Sequence, residues 1–178
     1  MDPSTISTDQ EKAFVVMVMG LPGSGKSYFA SRLAKQLDAV YLSSDSVRKD
    51  QFPNGEYGKE AKRKVYIRMA KMAEVVLPTR QKVVIDATFH LKEFREIFTS
   101  RAQRWGCTQF WIMVEADETL IKQRVGRPRK DSDADYKVYQ LLKREFEALE
   151  QPYLKLTSTD QNLEEMLEKA KAYLSITP

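Results

Sequence analysis

Cysteine and histidine are almost absent: the 178 residues include one of each, Cys107 and His90. A single cysteine cannot form an internal disulfide, and the two residues together are too few for a Cys/His zinc site. A lone thiol is also typical of a reducing compartment, so we expect a cytoplasmic protein.

Long apolar runs are missing as well. No stretch approaches the ~20 apolar residues that a membrane-spanning helix needs, so we expect no contact with a membrane. Residues 1–11 are polar and predict a flexible tail, with the pattern of neither a secretory signal nor a transit peptide. Without internal repeats or long linkers, residues 1–178 predict a single domain.

Charge of either sign is not in large excess, since the formal net charge is +4. This balance is compatible with a phosphorylated ligand or with nucleic acid and identifies neither. Basic residues cluster in one predicted helix, where they could contact a nucleic-acid backbone; their spread around its polar side makes a solvated face the simpler interpretation. These residues are Lys59, Lys62, Arg63, Lys64, Arg68 and Lys71.

Apolar runs alternate with helical patterns along the chain. We predict strands at 14–19, 39–43, 82–86, 108–115 and 153–157, and helices at 26–37, 45–52, 59–77, 91–105, 117–125, 133–149 and 162–174. This alternation predicts a three-layer α/β/α domain around a parallel five-stranded sheet. Ligands of such sheets bind beyond the carboxyl ends of the strands, and several polar segments follow strand ends here.

The first of these segments is a glycine-rich loop between the first strand and first helix. It reads Gly20-Leu21-Pro22-Gly23-Ser24-Gly25-Lys26-Ser27, which matches the phosphate-loop pattern G-x-x-x-x-G-K-[ST] without a mismatch. Its backbone N–H groups and the helix dipole favour an anion, Lys26 would contact the β- and γ-phosphates, and Ser27 would bind Mg²⁺. Tyr28, the next residue, joins the predicted nucleotide site. A simple glycine-rich turn is the alternative.

The second segment, Ser43 to Arg48, follows the second strand and opens a helix. Ser44 or Asp45 could simply cap that helix. Beside a phosphate loop, however, a carboxylate and a cation one turn apart suit phosphoryl transfer, which needs a base near the acceptor hydroxyl and a cation to hold the acceptor. We therefore predict catalytic roles for Asp45 and Arg48.

The third segment is the apolar strand that ends in Asp86. A carboxylate in this place, after a phosphate loop in chain order, is the Walker B arrangement and can hold Mg²⁺ directly or through water. A turn-forming aspartate at a strand end is the alternative. We predict that Asp86 and Ser27 are the metal-binding residues.

The fourth segment, residues 124–132, is basic and contains Gly126 and Pro128. This composition predicts a lid whose arginines neutralise charge on the transferred phosphate. Arg124 and Arg127 are both candidates, and spacing does not choose between them. A solvated charged loop is the alternative.

These motifs together resemble the small P-loop kinases of the polynucleotide kinase, zeta toxin and gluconate kinase group, over nearly the whole chain. The resemblance implies a P-loop NTPase fold, ATP and Mg²⁺ as cofactors, and an alcohol group as phosphoryl acceptor. Within the polynucleotide kinase branch, it implies that Asp45 is the general base and Arg48 the acceptor clamp. Residues 132–135, Ser-Asp-Ala-Asp, are instead similar to kinase-like ATPases of this group.

The acceptor remains open at this stage. A polynucleotide 5′-hydroxyl and a small molecule such as a sugar, nucleoside or antibiotic are both compatible with the motifs. A non-kinase ATP-binding switch would need a water-positioning residue and switch loops, whereas the Asp45/Arg48 pair favours transfer to a bound hydroxyl. A nucleic-acid-binding module is disfavoured by the modest charge and by the absence of a stacking motif.

Overall fold

A single parallel sheet forms the centre of the protein, whose structure is a computed structural model that describes residues 13–127 and 135–176. Its strands are β1 (Phe14–Met19), β2 (Val40–Ser43), β3 (Val83–Asp86), β4 (Thr108–Glu115) and β5 (Leu154–Thr157), in the order β2-β3-β1-β4-β5. Each neighbouring pair is parallel. The predicted parallel five-stranded sheet is therefore confirmed.

Helices cover both faces of the sheet. They are α1 (Lys26–Leu37), α2 (Ser44–Gln51), α3 (Lys59–Val76), α4 (Lys92–Thr99), α5 (Ala102–Trp105), α6 (Glu118–Val125), α7 (Tyr136–Glu145) and α8 (Leu163–Ile176), and a 3₁₀ turn at Leu77–Thr79 follows α3. Helices α1 and α8 pack on one face, and α3 and α4 on the other, which confirms the three-layer architecture. No helix among the described residues is long and apolar enough to cross a membrane.

The central strand shows why its sequence is apolar throughout. Val16 and Val18 point towards α1 and α8, whereas Val15, Met17 and Met19 point towards α3 and α4, and all five are fully buried. A parallel strand with helices on both sides has no solvent face.

The apolar pattern of α3 does not match its buried stripe at every position. Met72 shares a helix face with Val65 and Met69 by its spacing, but it is exposed. The buried stripe of α3 instead continues from Met69 to Ala70 and Ala73. A position three residues after Met69 lies at the edge of that stripe, and here the edge faces solvent.

The predicted helix at 91–105 is interrupted at Ser100. The carbonyl of Phe98 accepts hydrogen bonds from the Arg101 N–H (3.0 Å) and from Gln109 Nε2 of β4 (2.9 Å). The first of these bonds tightens the backbone into a 3₁₀-type turn, and the second holds the end of α4 against the sheet. Of the two partners, Gln109 lies outside the predicted helix.

The predicted helix at 133–149 ends at Glu145 because the following segment has tertiary partners. Glu147 N–H donates to the carbonyl of His90 (2.9 Å), and Ala148 O accepts from the buried Arg95 (2.9 Å). At its other end, the Asp135 carboxylate accepts from the N–H of Val138 (3.0 Å) and caps the helix. The predicted tail at 1–11 and residues 128–132 of the predicted lid lie outside the described residues.

The strand register places the predicted site segments side by side. Asp86 pairs with Ser43 of β2 on one side and with Val18 of β1 on the other. Asp45, in the first turn of α2, lies two residues after Ser43, and the glycine-rich loop begins two residues after Val18. All three segments therefore meet at one rim, at the carboxyl ends of neighbouring strands.

Candidate active site

The glycine-rich loop has a backbone that only glycine tolerates at its tightest positions. Gly20 and Gly23 have φ angles of 155° and 81°. A Cβ at Gly20 would lie 2.4 Å from the carbonyl oxygen of Val114, and one at Gly23 would lie 2.8 Å from Val125 Cγ1. The loop is thus wedged between the end of β4 and helix α6. Because Gly25 provides no side-chain cap, the first N–H groups of α1 are left for a ligand.

Some of the remaining residues of the loop pack in the protein interior, and others lie at the candidate nucleotide site. Ser24 is buried, and Leu21 packs against the cluster of Ile121, Val125 and Tyr139 that joins α6 to α7. Lys26 is largely buried at the first position of α1, and Ser27 is half-buried beside it. Tyr28 is exposed, with the Arg32 guanidinium 4.0 Å above its ring.

Asp86 is buried at the end of β3 and only partly satisfied. Its Oδ2 accepts a hydrogen bond from the Tyr41 hydroxyl (2.7 Å), while its buried Oδ1 has no partner among the described residues. A carboxylate oxygen without a partner, at the same rim as Ser27, is suitable for Mg²⁺, which prefers oxygen ligands and takes only one or two from the protein. The described residues contain no cluster of three metal-binding side chains, so Ser27 and Asp86 fit Mg²⁺ shared with phosphates better than a metal held by protein alone.

Asp45 lies in the first turn of α2, but it does not cap the helix. The N-cap residue is Ser43, and no side chain makes a capping hydrogen bond there. Burial raises the pKa of the Asp45 carboxyl, the nearby charges of Lys26 and Arg48 lower it, and the neighbouring Asp86 raises it further, with the net effect upward. The structure therefore favours a part-buried carboxylate of raised basicity over the capping alternative.

Arg48 is one turn further along α2. Its guanidinium carbon lies 4.4 Å from the centre of the Tyr57 ring, a cation–π arrangement that holds the side chain at the edge of the site. Asp45 and Arg48 line the same cavity, as the sequence predicts.

Arg124 contacts the phosphate loop directly. Its Nη1 donates to Gly23 O (3.2 Å) and Ser158 Oγ (2.9 Å), and its Nη2 donates to Asp160 Oδ1 (2.9 Å). Ser158 Oγ in turn donates to Ser24 O (2.5 Å). These bonds connect α6, the end of β5 and the loop, and sequence reasoning had no local signal for Ser158.

The start of the predicted lid is therefore helical. Arg124 and Val125 are the last two residues of α6, because Val125 packs against Ile121 and Tyr139, and Gly126 follows as the C-cap. Arg127 is exposed just beyond it. A lid role for the segment stays a prediction, since most of it lies outside the described residues.

Two cavities of about 800 Å³ each flank the phosphate loop. One is lined by loop residues, Tyr28, Arg124, Arg127 and the segment 158–161; we call it the nucleotide cavity. The other contains Asp45 and Arg48 and is walled by α3, α4 and α7; we call it the acceptor cavity. Lys26 lines both, so the loop lysine lies at the junction of two separate binding spaces.

Sequence reasoning missed two residues of the acceptor cavity. His90 belongs to none of the four predicted segments, but it is buried and lines this cavity. Lys62 was assigned to a solvated face, but it also lines the cavity and is only half exposed. For Lys62 a signal existed: it lies three and four residues before the apolar Val65 and Tyr66, on the buried side of α3.

The sheet order, the glycine-rich loop and the two cavities that meet at Lys26 define a P-loop nucleotide-binding protein with a kinase-like fold. The chain belongs to the AAA domain family, whose model matches residues 15–149. No curated protein matches the chain in sequence at a significant level.

Solved structures of kinases share the fold across nearly the whole chain. An unliganded sugar kinase from Janibacter sp. is 18% identical, with 93% of this chain and 96% of that chain covered at a TM-score of 0.70. The APS kinase CysC of Mycobacterium tuberculosis in complex with AMPPNP and APS is 18% identical (92% and 98% covered, TM-score 0.71). Kti12 of Chaetomium thermophilum in complex with ADP-AlF3 is 17% identical, with 92% of this chain and 100% of that chain covered at a TM-score of 0.67.

Proposed function

We propose that this protein is a Mg²⁺-dependent kinase that transfers the γ-phosphoryl group of ATP to a hydroxyl group of a second substrate. The position of Lys26 carries the proposal, because the loop lysine lines a nucleotide cavity on one side and a cavity that contains the Asp45 carboxylate on the other. A switch or a simple ATPase needs only the first cavity. A transferase needs both, with the reacting phosphate between them.

The residues have complementary roles in this reaction. The phosphate loop and Lys26 hold the β- and γ-phosphates, and Ser27 and Asp86 hold Mg²⁺, which neutralises phosphate charge when bound. Asp45 accepts the proton of the acceptor hydroxyl as its oxygen bonds to the γ-phosphorus. The bond from that phosphorus to the β–γ bridging oxygen breaks, and ADP leaves. The raised pKa of Asp45 makes it a stronger base than an exposed aspartate.

Arg48 and the basic segment complete the proposed site. Arg48 lies on the acceptor side and clamps the acceptor, whereas Arg124 and Arg127 lie on the nucleotide side and neutralise phosphate charge there. The fold serves different acceptors, since its neighbours include a sugar kinase and an APS kinase. A polynucleotide 5′-hydroxyl, a sugar, a nucleoside and an antibiotic therefore all belong in the test.

The test is phosphoryl transfer from γ-labelled ATP to a panel of 5′-hydroxyl oligonucleotides, nucleosides, sugars and aminoglycosides with Mg²⁺. We expect one class to be labelled and to stimulate ADP release. Lys26→Ala should lower transfer by orders of magnitude because it removes the charge on the β- and γ-phosphates. Lys35→Ala, in the exposed last turn of the same helix, is the matched control.

ADP release that no hydroxyl compound stimulates, or that only a protein partner stimulates, would contradict a kinase and indicate the switch alternative. Equal ATP affinity and turnover in Lys26→Ala and the wild type would contradict the nucleotide site itself.

A further inference from the structure

Lys62 occupies a position on α3 that its basic neighbours do not share. It extends the buried stripe formed by Val65, Tyr66 and Met69 towards the N-terminus of the helix. The other basic residues of this helix, Lys59, Arg63, Lys64, Arg68 and Lys71, are exposed. Lys59 also lines the acceptor cavity, but it is exposed and its ammonium group is paired with Glu93 (2.6 Å). Lys62 is therefore the part-buried cation that α3 presents to this cavity.

The ammonium group of Lys62 is poorly compensated in this position. Burial lowers the pKa of Lys62, and the negative charges of Glu145 and Asp45 offset this lowering only in part. No described residue forms a hydrogen bond or an ion pair with the Lys62 side chain. A desolvated cation without a partner costs folding free energy. An anion bound in the cavity would offset that cost, which the empty cavity does not.

His90 borders Lys62 and does not add a competing charge. Burial, helped by the positive charges of Lys62 and Arg95, lowers the pKa of His90 to about 4, so the ring is neutral at physiological pH. Its Nε2 lies 3.8 Å from Glu145 Oε2, beyond hydrogen-bond distance, and its buried Nδ1 has no partner among the described residues. The Nδ1 atom of the imidazole is thus available for a hydrogen bond to a ligand beside the Lys62 ammonium group.

The rest of this cavity is largely apolar. Phe94 and Leu142 are buried in its wall, and Val138 and Leu141 of α7 are part-exposed at its edge. Such a wall suits a ring or another apolar body. It suits a polyol badly, because a hydroxyl buried there without a partner costs free energy.

We propose that Lys62, with His90 beside it, is a second recognition point for the acceptor and binds an anionic group on a molecule whose body is apolar or aromatic. This inference rests on the proposed function, since it takes the cavity as the acceptor site. The hydroxyl group lies at Asp45, the apolar body contacts α4 and α7, and the anion contacts Lys62. The alternative is that the Lys62 stem only covers apolar surface, which would make its charge irrelevant to binding.

The test uses phenyl phosphate as a probe that combines a ring with an anion. The protein is first saturated with Mg²⁺ and AMPPNP so that the phosphate loop is occupied, and probe binding is measured by calorimetry. We expect Lys62→Met to weaken binding about tenfold to a hundredfold, as for the loss of a charge-assisted hydrogen bond. Lys64→Met, on the exposed side of the same helix, should bind as the wild type does.

Three further measurements make the result specific. Lys62→Arg keeps the charge and should keep most of the binding, so it remains informative should Lys62→Met fail to fold. Benzyl alcohol, which lacks the anion, should bind the wild type and Lys62→Met equally. Inorganic phosphate, which lacks the ring, should bind the wild type more weakly than phenyl phosphate does.

The outcomes separate this inference from the kinase proposal. Failure of the wild type to bind phenyl phosphate, or equal binding by Lys62→Met, overturns the role of Lys62. Phosphoryl transfer whose acceptor KM does not depend on Lys62 for anionic acceptors overturns it as well. Phenyl phosphate binding that depends on Lys62, without transfer to any hydroxyl compound, overturns the kinase proposal and leaves the anion site standing.

Discussion

At the scale of single residues, Asp45 is a part-buried carboxylate among charges of both signs. We expect Asp45→Asn to lower kcat by about 10²–10⁴-fold, because it removes the base, and to leave the KM for ATP nearly unchanged. In the wild type, kcat should rise with pH through the raised pKa of Asp45, and the residual activity of the variant should lose this dependence. Steady-state rates across pH measure both effects.

The same variant has a stability signature. Because the folded protein holds the Asp45 proton more tightly than the unfolded chain, protonation stabilises the fold below the ordinary pKa of 3.8, and this contribution is lost as the pH rises through the folded pKa. At neutral pH Asp45→Asn should therefore melt at the same temperature as the wild type or higher. A lower melting temperature with intact turnover would make Asp45 a structural residue.

Asp86 allows a separate test of the metal site. Asp86→Asn keeps the shape and removes the charge, so we expect the Mg²⁺ concentration for half-maximal nucleotide binding to rise by about 10–100-fold. Tyr41→Phe, which removes the hydroxyl that donates to Asp86 Oδ2 but keeps the carboxylate, should have a smaller effect. Fluorescent ATP-analogue binding, titrated with Mg²⁺, measures both. The same Mg²⁺ requirement in Asp86→Asn and the wild type would reduce Asp86 to a turn former.

At the scale of elements, the end of α6 is joined to the phosphate loop by Arg124. The side chain connects Gly23, Ser158 and Asp160, so its removal takes a donor from the backbone carbonyl of Gly23 and from the Ser158 hydroxyl that donates to the loop. We expect Arg124→Ala to weaken ATP-analogue binding about tenfold or more and to lower the melting temperature. Arg124→Lys should recover little, because an ammonium cannot reproduce the guanidinium fork.

Arg127 provides the contrast on the same segment. It lines the nucleotide cavity without hydrogen bonds among the described residues, so Arg127→Ala should leave the melting temperature unchanged and affect kcat alone. A fall in kcat for Arg124→Ala at unchanged ATP affinity and stability would instead assign to Arg124 the charge-neutralising role predicted from sequence.

The ends of the helices and strands show where the local sequence pattern was sufficient to predict the structure. The predicted bounds of β1, α1 and β4 agree with the structure, because a doubly buried strand and the glycine-rich loop leave clear signals in the sequence. The helices after β3 and after the basic segment were predicted too long. The end of the first depends on Gln109 of β4, and the end of the second on bonds from residues 147–148 to His90 and Arg95, which are distant in sequence.

At the scale of the whole molecule, the parallel sheet brings segments from four parts of the chain to one rim. The phosphate loop follows β1, Asp45 follows β2, Asp86 ends β3 and Ser158 follows β5. The placement of the first three could be predicted, because right-handed crossovers put all strand carboxyl ends on one side. The cavity that each side chain lines could not be predicted from the sequence, since it depends on how α3, α6 and α7 pack.

The sequence by itself determined the fold class and the nucleotide site, because glycine spacing, strand apolarity and the order of motifs are local properties of the chain. Only the tertiary structure decided that Lys62 and His90 border the acceptor cavity, that Arg124 holds the loop, and that Asp45 lines that cavity instead of capping a helix. The physical reason is that desolvation and unpaired polar atoms are properties of a packed environment. They arise when distant elements close around a side chain, and periodicity in one element does not encode them.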